Sequence, residues 1–327
     1  MTGAADLLAL CPRYAETPLR EVVFDGRRVL VKDESARMGL GSFKALGGIY
    51  AVARLLEQAT GVMLDSAAAL DRMRGSAADQ AFVCASAGNH GLAVATGARL
   101  FGAAATVVLS DAVPEAFADR LRARGAEVLR RGATYEDSVA SAIAFAEQSG
   151  AIHLADSSWP GYTEPPRLVM EGYAVLADEM QVRFDASGDW PDHVYLQAGV
   201  GGLAAAVARQ IRTRWSVQPR ITVVEPDAAA CLARSHAAGR LVTARGPVSS
   251  MGRLDCKEPS MLAFDILRTA ADRFVTVTDA QAEEAATRFT ATGLPTTPSG
   301  AAGLAACLTD GAAGRPLVIL SEGAVAG

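Results

Sequence analysis

Lysine is scarce in this 327-residue chain: of 31 basic residues, only Lys32, Lys44 and Lys257 are lysines. An enzyme that uses a lysine amine covalently has three candidates here. No run of about 18 apolar residues occurs, so no membrane-spanning helix is expected. The start, MTGAADLLALCPRY, has neither a basic opening nor a long apolar core, so no secretory signal is expected. No C-x-x-C pair occurs among Cys11, Cys84, Cys231, Cys256 and Cys307. Scattered thiols argue against a zinc site or a disulfide frame and for a cytoplasmic protein. There is no excess of positive charge either; the net charge of −5 gives no electrostatic reason to expect nucleic acid or an anionic membrane as partner. What remains is ordinary globular material, 50% apolar and 20% charged, long enough for two domains around a shared cleft or one large one.

Short β-branched runs alternate with longer amphipathic stretches. Strands are expected at Val29–Lys32, Ala81–Cys84, Ala105–Leu109, Glu127–Leu129, Val194–Leu196, Ile221–Glu225, Phe274–Val277 and Leu317–Leu320. Helices are expected at Phe43–Gln58, His90–Phe101, Pro114–Ala123, Thr134–Ser149, Glu164–Gln181, Leu203–Trp215, Ala280–Thr292 and Gly300–Leu308. This alternation predicts an α/β fold of two open, mostly parallel sheets, which bind ligands beyond the carboxyl ends of their strands. Asp65–Asp79, with little apolar periodicity, and the proline-rich Ser157–Pro166 mark two boundaries. They divide the chain into a large domain, residues 1–78 plus 159–327, and a small inserted domain, residues 79–158.

Three segments carry chemistry. Lys44 follows a turn containing Gly39 and Gly41 and opens a helix, where the helix dipole and loss of solvent favour an uncharged, nucleophilic amine. The alternative is a solvated lysine near a helix start. Ser86-Ala87-Gly88-Asn89-His90 follows a strand and offers backbone N–H groups to an anion, or is simply a tight turn. Gly199-Val200-Gly201-Gly202-Leu203 is a strand-to-helix loop of the phosphate-binding kind. Glu225 lies at the distance that a ribose-binding acid would need, so a dinucleotide reading stays open at this point.

Taken in order, Thr17-Pro18-Leu19, Lys32-Asp33-Glu34-Ser35, Phe43-Lys44, Gly88-Asn89-His90-Gly91 and the Gly199 loop resemble the fold-type II pyridoxal-phosphate enzymes, with the tryptophan synthase β-like fold. The run Lys32–Gly48 follows the KDES-x-R-x-GL-x-x-FK-x-LGG pattern of the diaminopropionate ammonia-lyase family. Asp156, Trp159, Gly161, Tyr162, Pro166, Met170, Gly172 and Tyr173 follow its D-x-x-W-x-GY-x-x-x-P…M-x-GY pattern. The segment Gly252–Pro259 looks like its GL-x-C-x-EP motif. The resemblance implies pyridoxal 5'-phosphate held as a Schiff base on Lys44. Asn89 would contact the cofactor ring oxygen, residues Gly199, Val200, Gly201, Gly202 and Leu203 its phosphate, and Ser321 the pyridine nitrogen. Ser86, Ala87 and Gly88 would line the substrate, with Ser86 and Gly88 holding its carboxylate. Lys44 would take the α-proton and Asp156 would assist the leaving group as a proton donor. The implied reaction is β-elimination from a small amino acid, 2,3-diaminopropionate first, giving a 2-oxo acid and ammonia. A serine, threonine or hydroxyaspartate dehydratase is the alternative, and a non-catalytic cofactor-binding relative a third reading. A homodimer is the expected assembly.

Two positions depart from the pattern. Ala87 stands where these ammonia-lyases carry an aspartate and serine racemase a serine, so no side chain there can move a proton. This predicts a non-racemising enzyme with a preference for the L form. Thr297 replaces a glutamate before Pro-Ser-Gly, so no metal site is expected. Four further groups stay open. His90 is expected to stabilise its turn, His153 a strand end, and Arg120–Arg124 to form a solvated helix face. Asp255 and Glu258 either face the substrate amine or cap a loop.

Overall fold

The computed structural model describes residues 3–311 and 314–324. Strands β1 (Leu19–Phe24) and β2 (Arg27–Asp33) form an antiparallel hairpin. Asp25 and Gly26 between them have φ of 50° and 79°, the left-handed pair that a two-residue hairpin turn requires. The later strands are β3 (Ala81–Ala85), β4 (Ala104–Leu109), β5 (Glu127–Arg130), β6 (Ile152–His153), β7 (His193–Gln197), β8 (Arg220–Pro226), β9 (Arg273–Val277) and β10 (Pro316–Leu320). They make a six-stranded sheet, β1-β2-β10-β7-β8-β9, and a four-stranded sheet, β5-β4-β3-β6. Every pairing except the first hairpin is parallel. The smaller sheet is built wholly from residues 81–153.

The helices run α1 (Ala4–Leu8), α2 (Lys44–Thr60), α3 (Ala67–Ser76), α4 (Asn89–Phe101), α5 (Glu115–Arg122) and α6 (Tyr135–Ser149). They continue as α7 (Glu164–Ser187), α8 (Gly202–Arg214), α9 (Cys231–Ala238), α10 (Met261–Ala270), α11 (Asp279–Ala291) and α12 (Pro298–Asp310). Among the described residues no helix is long and apolar enough to cross a membrane.

The packing of α2 explains the Leu-Gly-Gly that follows Lys44. A Cβ on Gly47 would lie 2.6 Å from the Val169 carbonyl oxygen of α7, and one on Gly48 would lie 2.5 Å from Ala93 Cβ of α4. A Cβ on Gly172 of α7 would in turn meet the Leu46 carbonyl oxygen at 2.6 Å. The three backbones therefore approach more closely than any side chain permits, and α2 is wedged between one helix from each layer system. Behind this wedge lies a buried charge cluster. Arg37 Nε donates to Glu34 at 2.7 Å, Arg37 Nη2 to Glu179 at 2.7 Å, and Lys32 Nζ to Glu179 at 2.6 Å. Thr17 adds a hydroxyl to Glu34 and a carbonyl oxygen to Lys32. This cluster is what the Lys32–Arg37 motif builds, and it removes Lys32 from the list of available amines.

The expected strands and helices all appear, and the structure adds elements that periodicity does not announce. The stretch taken as a boundary, Asp65–Asp79, contains α3, capped by the Ser66 hydroxyl accepting from Ala69 N–H. Only Ala69, Leu70 and Met73 of it are buried, too few to impose a periodic pattern. Helix α7 runs on past Gln181 to Ser187 because Phe184 turns inward onto Trp190 and Trp215, with ring centroids 5.4 and 5.3 Å away.

Candidate active site

Lys44 is the first residue of α2. The turn before it uses φ of 68° at Gly39 and 79° at Gly41, and is tied to the end of β10 by two backbone bonds. Phe43 N–H donates to the Ser321 carbonyl oxygen at 3.1 Å and Gly323 N–H to Gly41 at 3.0 Å. The lysine amine forms a hydrogen-bonded ion pair with Asp156, and lies 5.4 and 5.7 Å from the ring centres of Phe43 and Tyr173. The two paired side chains keep 24% and 20% of their surface open to the cleft.

Asp156 comes from the loop beyond β6, and its motif is a small aromatic brace. Trp159 and Tyr162 stack with centroids 4.2 Å apart and exchange backbone hydrogen bonds around Gly161, whose φ is 85°. The Tyr162 hydroxyl donates to the His153 carbonyl oxygen at 2.8 Å and accepts from Ala155 N–H at 3.0 Å, which fixes the chain one residue before Asp156.

Electrostatics overturn one expectation from the sequence. Burial pulls the Lys44 amine down, but the charge and hydrogen bond of Asp156, with Tyr173 and Cys256 adding to them, hold its pKa above the ordinary lysine range. The neutral amine expected from the helix start is therefore not what this pairing produces. Burial in turn pushes Asp156 up, yet Lys44 and His90 bring it well below the usual carboxylate range. An ionised carboxylate holds cations; it is a poor proton donor at neutral pH.

Asn89 is the first residue of α4, and its side-chain amide donates to Glu322. Glu322 follows Ser321 at the end of β10 and is the hub that sequence reasoning passed over. Its other oxygen accepts from the Thr297 hydroxyl at 2.5 Å, and Arg253 Nε stands 3.8 Å away. Thr297 also caps α12 by accepting from Gly300 N–H at 3.1 Å, so the residue in place of the family's glutamate has a clear local role. Its partner lies 25 positions away and that of Asn89 233 positions away, so no local pattern announces them.

The Gly199–Leu203 loop leads from β7 into α8, with Gly201 at φ 102° as the helix cap. A Cβ on Gly199 would come within 2.9 Å of Cys256 Sγ and 3.2 Å of the Arg253 carbonyl oxygen. The first-turn N–H groups of α8 point out of the helix at this end, as a phosphate requires. A part-exposed lysine at a helix start, a glycine cradle before another helix and the buried Ser321 at a strand end thus fit the donor set of a pyridoxal phosphate. Ser86 accepts Gly88 N–H at 3.2 Å within the turn, and Ala87 presents only a methyl group.

The remaining polar residues have local partners of their own. His90 Nε2 bonds the Leu154 carbonyl oxygen at 2.8 Å, and burial lowers its pKa, as befits a turn-stabilising role. Asp255 accepts from Lys257 Nζ at 2.5 Å and Ser249 N–H at 3.3 Å, while the exposed Glu258 accepts from Thr243 at 3.3 Å; both brace a loop. Glu225 accepts from Leu232 and Ala233 N–H, each at 2.7 Å, so it secures the start of α9 and is not placed to read a ribose. Arg122 lies on the solvated face of α5, but Arg120 and Arg124 are half-buried, a departure from the expected solvated face. Among the described residues no group of His, Cys, Asp or Glu is arranged to hold a metal.

The family model of pyridoxal-phosphate dependent enzymes matches residues 10–322. The diaminopropionate ammonia-lyase of Escherichia coli K12 is 35% identical over 276 residues, which are 82% of this chain and 69% of that protein. The crystal structure of the holo form of the Escherichia coli enzyme superposes with a TM-score of 0.86 at 30% identity, covering 98% of this chain and 88% of that one. The same enzyme in complex with an aminoacrylate-PLP azomethine reaction intermediate gives 0.85 at 31% identity, covering 98% and 87%. On these matches the chain belongs to the pyridoxal-phosphate dependent enzymes, within the diaminopropionate ammonia-lyase family.

Proposed function

We propose that this enzyme eliminates the β-substituent of a small amino acid, with L-2,3-diaminopropionate as the favoured substrate. The observation that carries the reading is the part-exposed Lys44–Asp156 pair beside the glycine loop, where the Asp156 carbonyl oxygen lies 3.8 Å from the point a Cβ on Gly202 would occupy. Lys44 would hold pyridoxal phosphate as a Schiff base, with Gly199, Val200, Gly201, Gly202 and Leu203 at its phosphate. Ser321 would face the pyridine nitrogen and Asn89 the ring oxygen, the latter oriented by Glu322. When bound, the cofactor supplies an electron-withdrawing ring that makes the α-proton acidic.

The residues then divide the proton work. Ser86 and Gly88 orient the substrate carboxylate. The pairing with Asp156 is what keeps Lys44 protonated; once a substrate ammonium takes that carboxylate, Lys44 Nζ, as the free amine, would take the α-proton. Asp156, ionised, holds the β-ammonium in its protonated form, so the Cβ–N bond breaks with its electron pair leaving on ammonia. The released enamine tautomerises and takes up one water, giving pyruvate and a second ammonia. Ala87 offers no second acid–base group, so the opposite enantiomer and racemisation are disfavoured.

The same reading takes residues 79–158 as a small domain inserted in a large one, 1–78 plus 159–327. The smaller sheet, confined to residues 81–153, supports that division. A cytoplasmic location is supported by five scattered, unpaired cysteines. A homodimer is the simplest symmetric assembly.

The test is 2-oxo acid and ammonia release from L- and D-2,3-diaminopropionate, serine, threonine and 3-hydroxyaspartate. Two ammonia per 2-oxo acid, from the L-diamino acid alone, is the expected result. Preferred turnover of a hydroxyamino acid would move the enzyme to the dehydratases, and equal turnover of both enantiomers would remove the argument from Ala87.

A further inference from the structure

An arginine with little of its charge matched reaches across the cleft beside the turn at Ser86. The Arg253 backbone is fixed on the side of the larger sheet, where its N–H donates to Ser299 Oγ at 3.1 Å and its carbonyl oxygen lies against Gly199. Its side chain crosses to the other side. Nη1, Cζ and Nε lie 3.2, 3.4 and 3.6 Å from the point a Cβ on Gly88 would occupy, and Cζ lies 5.7 Å from the Phe117 ring centre. Any side chain at position 88 would therefore press on the guanidinium.

Charge around it does not balance. The facing carboxylate, Glu322, stands 3.8 Å from Arg253 Nε and already accepts from Thr297 and Asn89. Arg120 of α5 comes up behind, half-buried and with no hydrogen bond or ion pair among the described residues. Burial and the charges of Arg253 and Arg124 lower its pKa and outweigh the opposing pull of Glu322, so these cations repel one another. Two guanidinium groups, Arg253 and Arg120, share one engaged carboxylate, and Ala87 adds no acid. Such an arrangement favours an incoming anion, and a guanidinium matches a planar carboxylate with two parallel N–H bonds. The adjoining start of α4 contributes positive potential in the same place.

We propose that Arg253, backed by Arg120, binds a carboxylate of the amino-acid substrate at the Ser86–Gly88 turn. The inference rests on the amino-acid reading above. The carboxylate is either the α-carboxylate common to all such substrates or a β-side carboxylate such as that of 3-hydroxyaspartate. Both ask for the same recognition, and the kinetics separate them.

The experiment uses the holoenzyme, R253K, R253Q and R120Q. For R253Q, loss of a charge-assisted contact raises KM by about 10- to 100-fold while kcat changes by less than about threefold. R253K recovers part of the loss, and R120Q raises KM by a smaller factor. A uniform rise for diaminopropionate, serine and 3-hydroxyaspartate assigns the α-carboxylate. A rise confined to 3-hydroxyaspartate assigns a β-side carboxylate. A second readout needs no turnover: titration of the cofactor absorbance with L-alanine and L-alaninamide. Wild type should prefer the acid to the amide, and R253Q should lose that preference. If no compound in the panel is turned over, the proposed elimination fails while this titration still tests the arginine. Unchanged KM and unchanged alanine preference in a folded R253Q overturn the proposal, as does a fall in kcat alone. If R253Q does not fold, R253K and R120Q decide by the same criteria.

Discussion

Two lysine–carboxylate pairs in this molecule share their chemistry and differ in everything around it. Lys32 and Glu179 are 1% and 7% exposed; Lys32 also donates to the Thr17 carbonyl oxygen, and Glu179 also accepts from Arg37, Tyr14 and Thr17 N–H. Two cations and two carboxylates close on themselves there, with burial and hydrogen bonds both fully met. Lys44 and Asp156 have one another and an open side. A buried pair with every site satisfied is expensive to disturb and has nothing left to offer a ligand. A pair with a free flank can exchange its partner. The difference between scaffold and chemistry lies in the unoccupied hydrogen-bonding directions, not in the residue types.

The contrast can be broken from either side. The largest effect is expected at Lys44. K44A should lower kcat by on the order of 10⁴-fold and abolish the visible cofactor absorption, whereas K32M should keep the band and lose stability instead. Absorbance spectra and melting curves of the two variants side by side check this. Next comes the closed cluster: E179Q leaves Lys32 and Arg37 short of a counter-charge and should cost about 3 kcal/mol or more in unfolding free energy. A denaturant series reads it, and a loss below about 0.5 kcal/mol would mean that Glu34 alone can balance both cations.

Smaller effects sharpen the open site. E322Q keeps the shape but weakens the acceptor for Asn89 and Thr297, so cofactor affinity should fall by about tenfold, measured by titration of the apoenzyme. Equal affinity in E322Q would show that Asn89 needs no help in orienting. The least effect is expected behind the aromatic brace, at His153. Burial lowers its pKa to about 4. Between that value and the ordinary histidine value of about 6.5, the unfolded chain binds the extra proton, so stability falls as pH drops through this window. H153N should flatten that part of the curve, and thermal melts between pH 4 and 7 test it.

Much of the fold is written in short-range signals. Lys44 at a helix start, the loop before α8 and the alternation of strands and helices can all be read locally, because each is set by glycine conformations or by periodic burial. The Asp25-Gly26 pair was also a readable turn signal, and with it β1 could have been placed beside β2. Strand β6, with two residues, and α1, with five, are too short to carry a pattern. Glu322 and Arg253 were invisible for a different reason. Their meaning comes from partners brought in by other elements, and a charged residue in a loop looks the same whether it faces solvent or a cleft. The same holds for the pKa of Lys44, which depends on a carboxylate 112 positions away.

The glycine contacts of α2 have a mechanical consequence. With no side chains at Gly47, Gly48 and Gly172, the backbone of the helix that starts with Lys44 packs against the Val169 carbonyl and Tyr173 ring of α7 on one side and Ala93 of α4 on the other. A shift of either neighbour is passed undamped to the amine. The lysine therefore works as the tip of a stiff lever whose fulcrum is a patch of bare backbone, and a single methyl group at Gly48 should register at Asp156 as a change of aim.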